Sequence, residues 1–283
     1  MKRFFLVFSV VVLLNLSVIN VHAQEATAIP ATPFPTETPQ KSPVDIANED
    51  YKFQVNEYQK AKAQYLLSKD QYLSSKTLTA KSKLRDANYL FLVTRDNVVR
   101  TYLVLLNEKV KVVNGLDQSQ KDTVTLRIQN EVDWYKNHSS LIPSAGTLED
   151  LFRDSEKAKN QFTNVSIQLI YSSQVLIPQI SLRNIFNREL EVTDRTNAKI
   201  AQIRQNQDLD TKAIERWILE TKNKLTRAQE KKDAADTTIA NPSNVNSEVN
   251  VNKVLDVMKD AIQYMKEGND FLNEIVRKIK TVG

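Results

Sequence analysis

Residues Asn160 to Leu182 read NQFTNVSIQLIYSSQVLIPQISL, a run of twenty-three residues without a charged side chain. Charged residues make up 26% of the chain, so a run of this length is expected to lie in the protein interior. Its apolar residues recur at helical steps and also occupy the other faces: Phe162, Val165, Leu169, Leu176 and Ile180, with Ile167, Ile170, Tyr171 and Val175. The run predicts the buried central helix of a bundle.

A membrane-spanning helix is the alternative interpretation of this run. The run contains many amide and hydroxyl side chains, which are costly in hydrocarbon: Asn160, Gln161, Asn164, Gln168, Ser172, Ser173, Gln174 and Gln179. The sequence therefore favours a core helix over a membrane span. Pro178 lies within the predicted helix, and we expect it to kink the helix rather than to end it.

The composition excludes several kinds of functional site. The chain has 283 residues and no cysteine, which rules out disulfides, iron–sulfur clusters, thiolate zinc sites and a cysteine nucleophile. Its two histidines are His22 and His138, too few for a typical metal site or catalytic triad, and we expect no cofactor. The net charge is +5, or +3 after loss of Lys2 and Arg3, which is too small to indicate a nucleic-acid partner.

The first twenty-three residues have the pattern of a secretory signal peptide. Lys2 and Arg3 give a positive start, an apolar segment runs from Phe4 to Leu14, and a cleavage site follows Ala23. The sequence therefore predicts a secreted, periplasmic or otherwise extracytoplasmic protein. An uncleaved N-terminal membrane anchor is the alternative, because the apolar character continues to Ile19.

Residues 24–48 form a segment of different composition, rich in proline and threonine. Five of the eight prolines lie in it: Pro30, Pro33, Pro35, Pro39 and Pro43. Such a composition favours extended, semi-stiff chain that cannot form a core. We predict a disordered spacer.

From residue 49 onward the composition is helical, with three prolines and four glycines in the rest of the chain. No sustained alternation of apolar and polar residues indicates a strand. We predict an all-α fold, an elongated bundle of long antiparallel helices. A helical bundle is expected at 49–178, and a coiled-coil-like arm of three helices with narrow apolar seams at 179–283. One continuous domain is the alternative.

Tyrosine recurs every seven residues in the first predicted helix, which spans 50–75: Tyr51, Tyr58, Tyr65 and Tyr72. Seven residues make two helical turns, so the four rings share one stripe. Such a stripe is typical of a packing seam against a neighbouring helix. The alternative is an aromatic platform that stacks on sugar rings, which would make the protein a carbohydrate- or cell-wall-binding module. Covered rings favour the seam and exposed rings the platform.

The second predicted helix carries charged pairs beside a broad apolar stripe. Thr77 or Thr79 caps its start, and it extends to Val113. Its charged residues, which include Arg95 and Asp96, are expected to form a solvated face rather than a site.

Two further helix starts follow from capping patterns. Ser119 with Asp122 resembles a capping box and predicts a third helix that ends near Asn137. His138 is then expected just past that end, where it would satisfy the last carbonyl groups. Thr147 is expected to cap the central helix.

The motifs of common enzymes are missing from the sequence. The glycines are isolated, no serine lies three residues before a lysine, and neither paired zinc-binding histidines nor a calcium loop occurs. Carboxylates assembled in space remain as one enzymatic alternative, a hydrolase with Asp208 and Asp210 as its acid and base, although helix capping explains both residues.

The leading functional hypothesis is therefore an exported, non-enzymatic helical bundle of a bacterial envelope. It would act through its surface as an adhesin-like, scaffold or partner-binding protein. The organisation resembles that of bacterial envelope helical bundles as a class, which is an analogy of architecture and assigns no residue roles. A protein partner, a cell-wall polymer and an oligomer are all compatible with the sequence.

Overall fold

A computed structural model describes residues 41–142, 147–206 and 212–280. In these ranges the chain forms seven α-helices and no strand, which confirms the all-α prediction: α1 (Pro43–Ser75), α2 (Leu78–Val112), α3 (Gln118–Leu141), α4 (Leu148–Gln161), α5 (Ile167–Asn206), α6 (Lys212–Ile239) and α7 (Glu248–Lys280). A π-helical segment, π1 (Phe162–Ser166), joins α4 to α5 without a break, and a short 3-10 helix (Pro242–Val245) precedes α7. Within this described part of the chain, no helix is both long and apolar enough to cross a membrane.

Several sequence-based assignments lie outside the described residues. They are the signal peptide at 1–23, the spacer up to residue 40, and the candidate carboxylates Asp208 and Asp210. The last part of the predicted spacer is helical instead, because α1 begins at Pro43. Ser42 caps it by accepting a hydrogen bond from the backbone N–H of Asp45, and proline is well suited to the first helical position.

The other helix starts show which capping predictions were correct. Thr77 caps α2 through its side-chain oxygen, and Thr147 caps α4 in a reciprocal arrangement with Asp150. The box predicted for α3 was wrong by two residues. Asp117 accepts from the backbone N–H of Gln120, whose side chain accepts from the N–H of Asp117.

The contacts between residues divide the chain into two compact units. Unit 1 comprises the described residues of Met1–Leu105 and Tyr135–Lys159, and unit 2 those of Leu106–Trp134 and Asn160–Gly283. Residue 178, the proposed end of the bundle, lies inside unit 2. The helix α5 runs through Pro178, so the prediction that this proline does not end the helix is confirmed. The kink, the elongated shape and the coiled-coil-like arm stay predictions.

In unit 1, α1 packs antiparallel on α2. The ring of Tyr51 lies 5.1 Å from that of Tyr102, whereas Tyr65, two heptads later, lies 5.0 Å from Phe91. The side chains of α2 are almost fully buried at Leu92, Val98 and Leu103. The core of unit 1 therefore forms around α2, which supports one face of α1.

In unit 2, the helices α5, α6 and α7 form an antiparallel set. Gln179 of α5 donates to Asp236 of α6, while Ile200, later in α5, joins a cluster with Ile214 at the start of α6. Between α6 and α7, ion pairs join Lys224 to Glu267 and Lys231 to Asp260, again with opposite chain directions. The apolar seam residues of both helices are buried: Ile214, Leu225, Ala228, Ala235, Val251, Leu255, Met258, Met265, Leu272 and Ile275.

The charge-free run is helical and largely buried, as predicted, but its inward face changes at π1. The backbone N–H of Ile167 donates to the carbonyl of Phe162, five residues earlier, so the turn holds one extra residue. That residue rotates Ser166 into the interior and leaves Val165 44% exposed. The placement of Val165 on the apolar face was therefore wrong.

Two glycines meet different constraints in unit 2. Gly115, in the turn before α3, has a φ of +100°, and a Cβ atom there would lie 2.6 Å from Oδ1 of Asn184. Gly268 lies within α7, where a Cβ atom would meet its nearest neighbour, Cβ of Lys224, at an ordinary distance of 3.5 Å. The first position requires glycine, and the second has room for a methyl group.

We expect Gly115→Ala to lower the free energy of unfolding by about 1–3 kcal/mol, because alanine is strained at positive φ and also collides with Asn184. The matched variant Gly268→Ala is expected to raise it by roughly 0.5–1 kcal/mol, since alanine is the better helix former. Chemical denaturation followed by circular dichroism measures both. A destabilising Gly268→Ala would show that α6 and α7 approach more closely than the structure indicates.

Candidate functional site

Three buried titratable side chains meet between α2 and α3 in unit 1. Asp96 is 1% exposed, Arg95 is 4% exposed and His138 is 8% exposed. One carboxylate oxygen of Asp96 lies 2.6 Å from Nδ1 of His138, and the other lies 3.3 Å from Nη2 of Arg95. An ionised carboxylate only accepts hydrogen bonds, so both neighbours donate to it.

A third helix joins this group through the guanidinium. Nη1 of Arg95 donates to Oγ of Ser155 in α4 over 3.1 Å. We call Arg95, Asp96, His138 and Ser155 the Asp96 cluster. It connects α2, α3 and α4 by polar contacts, and its three titratable members are buried in unit 1 whereas Ser155 is partly buried.

The sequence-based placement of these residues was wrong. Arg95 and Asp96 do not lie on a solvated face, although the similar pair Arg85–Asp86 does, with side chains 46% and 64% exposed. His138 lies inside α3, which continues to Leu141, rather than past its end. Helical spacing could have predicted the burial of Asp96, because this residue lies four residues after the buried Leu92 and therefore on the same face.

The tyrosine stripe lies beside the Asp96 cluster. Tyr51, Tyr58 and Tyr65 are all at most 9% exposed, and Tyr72 is half-buried against the same core. Tyr58 and Tyr65 stack on Phe91 with ring centroids 5.5 and 5.0 Å away. These contacts favour the packing seam. A platform for sugar rings needs exposed ring faces, and the first three rings do not have them.

Burial changes the acid–base behaviour of the stripe. Burial raises the pKa of Tyr58 to about 12, while the positive charge of Arg95 acts in the opposite direction. Burial likewise raises the pKa of Tyr51, with a further contribution from Tyr102, and that of Tyr65. The phenols are therefore held neutral next to a buried cation.

Unit 2 contains a second buried carboxylate, at the π-helical segment. Glu131 of α3 is 5% exposed and accepts from Oγ of Ser166 over 2.5 Å and from Nε2 of Gln161 over 2.7 Å. Ser166 reaches Glu131 because π1 turns it inward. This contact could not be predicted from the sequence, since it depends on the extra residue in π1.

Both clusters join helices, and neither resembles an open reaction site. The histidine–aspartate pair could orient an imidazole, but its atoms lie in the core. In the ranges that the structure describes, no group of three or more histidine or carboxylate side chains could hold a metal ion. Comparisons of the chain with protein-family models, with curated proteins and with solved structures gave no match.

We expect Asp96→Asn to lower the free energy of unfolding by about 3–5 kcal/mol, because it removes the negative charge from a buried ion pair. The same change in the exposed pair, Asp86→Asn, is the matched control and should cost less than about 1 kcal/mol. Urea denaturation followed by circular dichroism gives both values. Equal small effects would mean that the Asp96 cluster is solvated.

Tyr58 should make the protein sensitive to alkaline pH. Its pKa is about 12 in the folded chain and near the ordinary value of 10.0 in the unfolded chain. The stability linked to Tyr58 is therefore complete below pH 10 and is lost as the pH rises through 12. The loss amounts to about 2–3 kcal/mol. Denaturation between pH 9 and 12 should show a shallower decline for Tyr58→Phe than for the wild type, and parallel curves would contradict this.

Proposed function

We propose that the chain is exported and works without catalysis of its own, as an adhesin-like, scaffold or partner-binding bundle at a bacterial envelope. The proposal rests mainly on how the described chain uses its interior polar groups. The Asp96 cluster and the Glu131 contacts join neighbouring helices and are held in the core. Polar groups in such positions fix the packing of the helices. Binding to a partner is then left to the exposed side chains.

The exposed faces of the helices carry side chains that can contact a partner. Charged side chains dominate them, but several large apolar side chains are also exposed, among them Phe53 on α1 at 57%, Leu126 on α3 at 62% and Leu219 on α6 at 58%. Export is supported by the sequence alone, through the basic start, apolar segment and cleavage pattern of residues 1–23 and the proline-rich residues that follow.

Export is tested by expressing the full chain in a bacterial host and measuring the intact mass and N-terminal sequence of the product. We expect protein outside the cytoplasm that begins at Gln24. The control variant Ala23→Asp should retain the first twenty-three residues, because it removes the small residue at the cleavage site. Wild-type chain that stays in the cytoplasm at full length would contradict export.

Partner binding is tested with labelled chain and isolated bacterial envelopes. Binding should saturate and be displaced by unlabelled chain. Protease treatment of the envelopes distinguishes a protein partner from a cell-wall polymer, since only the first is destroyed. Release of soluble fragments from the wall by the chain alone would contradict the non-catalytic part of the proposal.

A further inference from the structure

The turn between α1 and α2 concentrates positive charge. Residues 68–84 contain four lysines and one aspartate, a net charge of +3, while the whole chain carries +5. The lysines are Lys69, Lys76, Lys81 and Lys83, and in the described part of the chain none of them makes an ion pair. Lysines nearby and elsewhere do, as Lys60 does with Glu57 and Lys111 with Glu108.

The same turn exposes leucine. Leu78, the first residue of α2, is 87% exposed, and Leu73, in the last turn of α1, is 57% exposed. Hydroxyl side chains surround them, and a groove lined partly by Ser74, Thr77 and Lys83 lies beside the turn. Transfer of such an exposed apolar side chain from water into an apolar environment lowers the free energy of the system.

The backbone holds this arrangement in place. Lys76 adopts a left-handed conformation with φ 50°, and its N–H donates to the carbonyl of Tyr72, which closes α1. Thr77 then caps α2 at once. Leu78 therefore projects from a turn that is hydrogen-bonded on both sides, so a partner need not order a loose loop in order to bind it.

We propose that the turn joining α1 and α2 docks on an anionic lipid bilayer, with Leu78 in the acyl boundary and Lys76, Lys81 and Lys83 on the headgroup phosphates. Charge complementarity identifies an anionic partner. The exposed leucine favours a bilayer over a soluble polyanion, because only the bilayer offers an apolar layer next to its charges. This docking does not depend on export or on an envelope partner, since purified chain and pure lipid suffice to test it.

The test measures binding of the chain from Gln24 onward to vesicles of phosphatidylglycerol and phosphatidylcholine in equal parts. Residues 1–23 are omitted because their apolar segment would bind lipid by itself, and they lie outside the described residues. The triple change Lys76→Gln, Lys81→Gln and Lys83→Gln should weaken binding about 100-fold, at about fivefold for each lysine. Vesicles of phosphatidylcholine alone should bind weakly.

A matched variant controls for total charge. Lys222, Lys253 and Lys266 are exposed lysines of α6 and α7 without an ion pair in the described chain, and their change to glutamine removes the same three charges. It should change vesicle binding by less than threefold. Equal losses in the two triple variants, or no binding by the wild type, would overturn the proposal.

Variants of Leu78 distinguish docking on a bilayer from binding to a soluble polyanion. Because the chain has no cysteine, Leu78→Cys can carry a single environment-sensitive dye. We expect a blue shift with the anionic vesicles and quenching by spin-labelled acyl chains, and Leu78→Ser should weaken binding at least threefold. Tight binding to inorganic polyphosphate, with no shift of the dye on vesicles, would instead identify a soluble polyanion and overturn bilayer docking.

Discussion

The buried carboxylate of Asp96 is the constraint on which unit 1 depends. An isolated charge in a protein core is very costly, so a residue that is 1% exposed requires partners at fixed positions. His138 and Arg95 provide them, and Arg95 in turn engages Ser155. Apolar seams tolerate small shifts between helices, whereas a hydrogen bond of 2.6 Å does not. The cluster therefore fixes the register of α2 against α3 and α4.

In unit 2 buried polar contacts likewise fix how neighbouring helices pack. Glu131 holds α3 against π1 through Ser166, and the hydroxyl of Thr221 in α6, fully buried, reaches the backbone carbonyl of Gly268 in α7 at 3.3 Å. Polar contacts at close-packed positions thus set the register where the apolar residues alone leave it loosely defined.

The sequence predicted those features that depend on local spacing or local chemistry. The tyrosine seam, the cap at Thr147 and the seams of α6 and α7 follow from periodicity and capping. The Asp96 cluster could not be predicted in the same way, because Asp96 and His138 lie 42 residues apart and a charge does not reveal whether its partner is near in space. The π-helical segment was missed because a single extra residue leaves the apolar spacing on either side intact.

The charged residues of this chain differ in whether an opposite charge lies nearby. Interior charges meet partners on neighbouring helices, and many outer lysines are paired too, as Lys224 is with Glu267 and Lys231 with Asp260. Such pairs on the surface contribute little stability but neutralise the local field. Among the described residues no carboxylate pairs with the lysines of the turn between α1 and α2, and their field therefore extends into the solvent. An external anion could neutralise this field without competing with an existing ion pair, so its binding would not cost the fold a contact.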